Sequence, residues 1–248
     1  MFDQSGFAVR FEWGPTGIQR AAQRGDIVIV VDVLRFSSAV TVAAGYGATL
    51  YPAPYDQSAA AYAERLGLPL IHGGLASGDD AKSLSPSSFG PEDAGRRYVT
   101  SSANGAACAS YATGATAVIA GALLNADATA AGAWELQASS AAPITVIACG
   151  ERWSAAYATE DRLRPCVEDY LGAGAILAAL GRDCSPEAEV CAASFLGSAA
   201  RLERLLWECA SSRELRERDQ GADVQFCSRL NITAAVPIMR DGGFASRL

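Results

Sequence analysis

The sequence predicts an α/β protein, a three-layer α/β/α structure in which helices cover both faces of a mainly parallel, mixed sheet. Two observations lead to this prediction. Strand-like and helix-like segments alternate along the 248 residues, and several strands are aliphatic runs typical of burial on both faces. Half of the residues are hydrophobic, which is enough for a large core. We expect residues 1–248 to form a single α/β domain, or two closely packed subdomains.

The first elements follow from hydrophobic periodicity. Residues 7–13 alternate apolar and polar side chains and predict a half-exposed strand, whereas residues 26–31 predict a strand buried on both faces. Residues 37–45 are mostly small and predict a helix with a hydroxyl at its start and a glycine at its end. A strand at residues 49–53 and a helix at residues 58–66 come next.

The middle of the chain continues the alternation. We predict a short strand at residues 68–72, and a strand followed by a helix over residues 96–112. Between them, residues 73–95 lack a clear periodicity, and long loops of this kind are usually lids or binding loops. Residues 115–121 predict a further strand, and Asn125 is placed to cap the next helix.

The last third is mainly helical in its pattern. Residues 143–150 predict a buried strand, and residues 160–180 predict a long helix. A second helix is expected over residues 186–211, with proline in its first turn. An apolar run at residues 234–239 comes near the end of the sequence.

Composition excludes several classes of protein. The chain has 27 acidic and 20 basic residues, a formal net charge of −7, which argues against nucleic acid as a partner. No run approaches the roughly 20 apolar residues of a membrane span, and we expect no signal peptide and no membrane partner. The chain has seven cysteines without a CxxC pair and a single histidine, which favours reduced thiols in the cytoplasm over a zinc site.

Three common functional motifs, Walker A, dinucleotide-binding and GxSxG, are absent from the sequence.

The first candidate site follows the buried strand at residues 26–31. Asp32 could hold a divalent cation, and Arg35 presents a planar fork suited to phosphate oxygens. Ser37 and Ser38 begin a helix, whose free N–H groups favour an anion. The alternative is an Asp32–Arg35 salt bridge with Ser37 as a simple cap.

The second candidate site follows the strand at residues 96–101. Ser101, Ser102, Asn104 and Gly105 could direct several donors at one oxyanion where this strand runs into a helix. The alternative is an ordinary corner, since Asn-Gly is common in turns.

The third candidate site follows the strand at residues 143–150. Glu151 and Arg152 repeat the acid-then-base order, and Glu168 and Asp169 come at the start of a helix, where its dipole favours carboxylates. The two helix acids could equally be solvated. Cys149 is more simply a small residue at a strand end than a nucleophile. Together the three strand ends indicate a site for a phosphorylated anion with a divalent metal.

Several of these motifs, in this order, resemble those of the 2-phosphosulfolactate phosphatases. The motifs are DVLR at residues 32–35, Asn104-Gly105, GERW at 150–153, LRP at 163–165, Glu168-Asp169 with Gly172 and Gly174, VPI at 236–238 and Asp241-Gly242. The resemblance implies an α/β fold and a magnesium-dependent phosphatase of small phosphorylated acids. The substrate named for the family is (2R)-2-phospho-3-sulfolactate, which yields sulfolactate on the route to coenzyme M.

We therefore expect hydrolysis of a phosphomonoester with Mg²⁺ as cofactor. The expected catalytic residues are Asp32, Arg35, Glu151 and Arg152; the metal ligands are drawn from Asp32, Glu151 and Asp169; and the substrate-binding residues are Ser37, Ser38, Ser101, Ser102, Asn104 and Gly105. The partner is a small phosphorylated acid, and a homodimer is a possible assembly. Two alternatives stay open: a non-catalytic sensor of a phosphorylated or sulfonated metabolite, favoured by Ala103 and Ala106, and an isomerase or lyase.

Overall fold

The computed structural model describes residues 3–56, 58–72, 82–153 and 162–246. The described strands are β1 (Val9–Trp13), β2 (Ile27–Val31), β3 (Thr49–Ala53), β4 (Leu70–His72), β5 (Arg97–Ser101), β6 (Ala117–Gly121), β7 (Ile144–Ala148), β8 (Glu151–Arg152), β9 (Leu163–Arg164), β10 (Pro237–Arg240) and β11 (Gly243–Ser246). The described α-helices are α1 (Gly14–Gln23), α2 (Phe36–Gly45), α3 (Ser58–Leu66), α4 (Gly105–Ser110), α5 (Ala126–Ser140), α6 (Val167–Leu180), α7 (Pro186–Ser198), α8 (Leu202–Glu208), α9 (Ala210–Glu217) and α10 (Gly221–Cys227).

Nine strands form one mixed sheet in the order β1-β7-β2-β6-β10-β11-β3-β5-β4, while β8 and β9 form a separate ribbon. The sheet contains two parallel blocks, β1-β7-β2-β6 and β3-β5-β4, and the antiparallel hairpin β10-β11 joins them. Asp241 and Gly242 form the hairpin turn with positive φ angles of 50° and 81°, which an Asp-Gly pair accepts readily. The predicted α/β fold with a mainly parallel mixed sheet is confirmed.

The nine-stranded sheet is bent rather than flat. Three successive antiparallel pairings separate β6 from β3, so the two blocks run in opposite directions along the sheet. In a flat sheet, β2 and β5 would lie about five spacings of roughly 4.8 Å apart, with their carboxyl ends at opposite edges. Instead, the Gly105 N–H, just after β5, donates to Asp32 Oδ2, just after β2, at 2.7 Å. The bend therefore brings the carboxyl ends of both blocks together.

Helices cover both faces of the sheet. Helices α5, α6 and α7 pack with Ile27, Ile29 and Val31 of β2 in one buried cluster. The intervening residues Val28 and Val30 face a second cluster with α1, α2 and α4. Since all five residues of β2 are fully buried, its aliphatic run is explained by contact with both layers. Within the described ranges, no helix is both long and apolar enough to cross a membrane.

Several predicted boundaries were wrong. The helix expected at residues 160–180 begins at Val167 because its predicted start contains Pro165, which disfavours a helical residue before it; residues 160 and 161 lie outside the described ranges. The single helix expected over residues 186–211 is divided: α7 ends at Ser198, a 3₁₀ turn follows, and Cys209 is extended between α8 and α9. The division into domains stays a prediction.

Two predicted helix caps also differ from the structure. The glycine with positive φ after α2 is Gly47, at 85°, because Gly45 is still helical. Asn125 precedes α5 as expected, yet its side chain accepts a hydrogen bond from the Ala122 N–H and donates to the Ala235 carbonyl. It therefore ties the end of β6 to the segment that enters β10.

Candidate active site

A cavity of about 550 Å³ lies where the carboxyl ends of the strands converge. Asp32 and Arg35 enter it from the end of β2, Ser102 and Asn104 from the end of β5, and Glu151 from the end of β7. Helix α9 and the residues after it form another wall. Parallel α/β sheets usually bind their ligands beyond the carboxyl ends of their strands, which makes this cavity the candidate active site.

Asp32 connects the two blocks of the sheet at the cavity. Its Oδ1 accepts the Phe36 N–H at 3.2 Å, and its Oδ2 accepts the Gly105 N–H at 2.7 Å. The side chain is buried, with the residue 5% exposed, and still lines the cavity. Two main-chain donors therefore hold this carboxylate in a fixed orientation, with further lone pairs available to a ligand.

Asp169 is buried and bonded to the main chain through both oxygens. Its Oδ1 accepts the Val33 N–H at 2.8 Å, and its Oδ2 accepts the Gly150 N–H at 2.9 Å. It thus ties the segment after β2 to the segment after β7. Glu168 and Asp169 are 2% and 3% exposed, so the alternative that they are solvated first-turn acids was wrong. These contacts give Asp169 a positioning role; direct metal ligation by it stays a prediction.

Arg35 forms a buried ion pair with Asp223 of α10 rather than with Asp32. Both side chains are less than 10% exposed, and Arg35 also lines the cavity. The other oxygen of Asp223 accepts the Ser85 hydroxyl at 2.5 Å. The loop expected at residues 73–95 therefore reaches the site through its later part, while residues 73–81 lie outside the described ranges.

Asn104 and Glu151 contact each other across the cavity. The Asn104 amide donates to Glu151 Oε2 at 2.8 Å. Arg152 is exposed and lines an adjoining cavity of about 420 Å³, which shares Asn104 and Glu151 with the first. Arg35 and Arg152 are therefore on the same edge of the sheet, but they face neighbouring cavities, and Arg152 is not brought to the wall that holds Arg35.

The four predicted serines divide into two groups. Ser37 and Ser38 are fully buried: their hydroxyls donate to the Val30 and Val33 carbonyls, and both lie outside the lining of the cavity. Ser101 and Ser102 line the cavity, although Ser101 donates to a carbonyl and Ser102 caps α4. The structure thus gives the Ser37 and Ser38 hydroxyls main-chain partners, and their contact with substrate stays a prediction.

Several carboxylates lie close together at the cavity, and their negative charges raise one another's pKa values. Burial raises the pKa of Asp32 from 3.8 to about 6, hydrogen bonds from Gly105 and Phe36 oppose the rise, and the charge of Glu168 adds to it. Burial, with the charge of Asp32, raises the pKa of Glu151 from 4.5 to about 7. Burial, with the charges of Asp32, Glu168 and Glu151, also raises the pKa of Asp169. The charge of Arg35 lowers the pKa of Asp32, but it does not offset the effect of burial and of the neighbouring carboxylates.

The raised pKa values predict that the metal-free protein loses stability as the pH rises. Asp32 and Glu151 keep their protons to higher pH in the folded protein than in the unfolded chain, so the free energy of unfolding falls between about pH 4 and pH 7. For Asp32 alone the loss is on the order of 3 kcal/mol. In EDTA, the melting temperature should fall from pH 5 to pH 8, and Glu151→Gln should flatten the upper part of the curve. A constant or rising melting temperature would contradict this.

Some residues of the site gave no signal in the sequence. Asp223 belongs to a helix that shows only ordinary charge patterning, and its partner Arg35 is 188 positions away. Ser211 and Arg218, which line the cavity, come from the divided helical region. An acid beside apolar residues in a short helix, as in GADVQFC, was the available hint for Asp223. Cys149 is buried and burial raises the pKa of its thiol, which disfavours a nucleophilic role.

An α/β sheet with carboxylates, an amide and a buried arginine at its converging strand ends has the features of an enzyme active site of the α/β class. The family model of 2-phosphosulpholactate phosphatase matches residues 14–242. The chain therefore belongs to the 2-phosphosulpholactate phosphatase family, which are phosphoric monoester hydrolases, and the resemblance noted in the sequence is confirmed. No curated protein matches the chain.

Proposed function

We propose that this protein hydrolyses the phosphate ester of 2-phosphosulfolactate, with Mg²⁺ as cofactor and sulfolactate and phosphate as products. The observation that carries the proposal is the convergence of Asp32, Arg35, Asn104 and Glu151, from three strand ends, on one cavity. Membership of the family supports the reaction class and the substrate. Phosphoryl transfer depends chiefly on positioning and charge stabilisation, which rigid strand ends can supply.

The residues of the cavity fit a magnesium ion. In the described ranges, no group of three His, Cys, Asp or Glu side chains is arranged to hold a metal. Mg²⁺, however, is commonly held by one or two carboxylates and completed by water and substrate phosphate oxygens. Asp32 and Glu151 line the cavity and have raised pKa values, so a cation beside them would relieve their mutual repulsion. These two residues would hold the ion, and it would neutralise phosphoryl oxygens and acidify a bound water.

The other residues bind and orient the substrate. Arg35 binds the phosphoryl oxygens through its guanidinium, and Asp223 keeps that group in the wall of the cavity. Asn104 orients Glu151 through its amide hydrogen bond. Asp169 holds the main chain after β2 and β7 at a fixed separation, which keeps Asp32 and Glu151 on the same cavity. Arg152 stays a predicted contributor from the adjoining cavity.

Release of inorganic phosphate tests the proposal. The purified protein should release phosphate from 2-phosphosulfolactate in the presence of Mg²⁺, and EDTA should reduce the rate at least about 100-fold, since the ion supplies several kcal/mol of charge stabilisation. Readdition of Mg²⁺ should restore it. Binding of the substrate without phosphate release would favour a sensor, and turnover without free phosphate would favour an isomerase or lyase. Activity unaffected by EDTA would remove the cation from the proposal.

A further inference from the structure

One wall of the active-site cavity carries a second arginine. Ser211, Glu214, Leu215 and Arg218 all line the cavity from α9 and its C-terminus. Their spacing of three, four and seven residues places them on one face of the helix. Among the described residues that line the cavity, the arginines are Arg35 and Arg218.

The two arginines are held differently. Arg35 is buried and paired with a buried carboxylate, so it is fixed in place. Arg218 pairs with Glu214, four residues before it, and both side chains are more than half exposed, at 64% and 59%. Exposed pairs of this kind contribute little stability. Arg218 can therefore exchange Glu214 for an anionic ligand in the cavity at small cost.

Ser211 supplies an independent observation on the same wall. The residue is 6% exposed and lines the cavity, and within the described ranges its hydroxyl has no hydrogen-bond partner. A buried hydroxyl without a partner is unfavourable and uncommon. The oxygen itself is covered, so a rotation of this short side chain toward the cavity would let a ligand oxygen satisfy it.

The negative charges of the substrate favour a cavity wall that carries a positive side chain. As its name states, 2-phosphosulfolactate carries a carboxylate and a sulfonate besides its phosphate ester. Three of the lining side chains, Asp32, Glu151 and Glu214, are acidic and would repel this acid end. Mg²⁺ would offset the first two of these charges but not that of Glu214, so a cationic group away from the phosphoryl end would favour binding of the acid end.

We infer that Arg218 and Ser211 bind the acid end of the substrate and give the enzyme its preference for phosphate esters of sulfonated or carboxylated acids. The inference rests on the proposed function, because it assigns the second half of the same cavity. Arg35 then binds the phosphoryl group of the substrate, and Arg218 binds its acid end. Glu214 holds Arg218 in place until a ligand arrives.

Arg218→Gln tests this inference, with Arg213→Gln as the matched control. Arg213 also pairs with an exposed acid, Glu208, at 3.3 Å, but it lies outside the lining of the cavity. Arg218→Gln should lower kcat/KM for 2-phosphosulfolactate about 10- to 100-fold, mostly through KM, as expected for one charge-assisted hydrogen bond. Ser211→Ala should lower it about tenfold. The inhibition constant for inorganic phosphate, which has no acid end, should stay within about twofold in both variants, and Arg213→Gln should match the wild type.

The outcomes separate this inference from the proposed function. Unchanged kinetics in Arg218→Gln would overturn the inference and leave the phosphatase intact. An equal loss of phosphate affinity would also overturn it, because Arg218 would then serve the phosphoryl end or the fold. A wild-type protein that releases no phosphate from 2-phosphosulfolactate would contradict the proposed function itself.

Discussion

Arg35→Met should lower kcat/KM for phosphate release about 100- to 1000-fold, the usual effect of removing one donor to a developing oxyanion. Arg35 lines the cavity and is held by Asp223, so its guanidinium is already oriented before the substrate binds. The same substitution leaves Asp223 buried without its cation. We therefore also expect a loss of about 3–5 kcal/mol in the free energy of unfolding, measured by urea denaturation.

The double variant Arg35→Met/Asp223→Leu separates the two effects. Replacing both members of a buried ion pair with apolar side chains is often neutral for stability. Ser85, which loses Asp223 as a partner, keeps a contact with the Ser87 hydroxyl at 2.9 Å. The double variant should regain stability and stay inactive. If activity returned with stability, Arg35 would have only a structural role.

Gly105→Ala should disable the site by steric conflict alone. A Cβ at this position would lie 2.4 Å from Phe36 Cδ1 and 2.6 Å from Asp32 Oδ2. Phe36 is fully buried and packs against Phe244, so it has little room to move. The main chain must shift instead, which breaks the hydrogen bond between the Gly105 N–H and Asp32. We expect a loss of about 1–3 kcal/mol in stability and, because Asp32 is displaced, a fall of at least about tenfold in kcat/KM.

Gly197→Ala provides the control for the glycine substitution. Gly197 lies in α7, and a Cβ there would meet nothing within 4 Å. Since alanine favours helices over glycine, this variant should gain up to about 1 kcal/mol and keep its activity. Thermal unfolding and phosphate release measure both variants. Wild-type stability and activity in Gly105→Ala would show that the close approach of α4 to β2 is not required.

The parallel block β1-β7-β2-β6 was predictable because its central strands have a local signature. A strand buried between two layers must be apolar on both sides, and β2 and β7 therefore appear as aliphatic runs. The reversal through β10 and β11 was not predictable, since it depends on pairings between residues such as Ile238 and Ile119, far apart in the chain. The predicted helix ends were wrong where the local composition does not distinguish a helix from a turn, as in the segment after Ser198.

The site was predictable only where a side chain comes within a few residues of the end of a buried strand. Asp32, Asn104 and Glu151 do so, and the strand-end rule brings them to one cavity. Ser37 has the same signal, but its short side chain bonds to the nearby main chain, as serine often does. Arg218 lines the cavity from the C-terminus of α9, and Asp223 of α10 holds Arg35 in its wall, through helix packing that no local sequence pattern predicts. The pairing of Asp223 with Arg35 joins residues 188 positions apart, so only the folded structure shows it.

The position of the β10–β11 hairpin has a consequence for biosynthesis. Pro237–Ser246 are the last strands of the sheet along the chain, yet they lie at its centre, between the two blocks. While the ribosome is still extending the chain, either block has an open edge facing the place of the missing hairpin, and such edges invite pairing with other chains. The two blocks become one sheet only after Pro237–Ser246 have emerged, so chaperone protection of the nascent chain should matter until then.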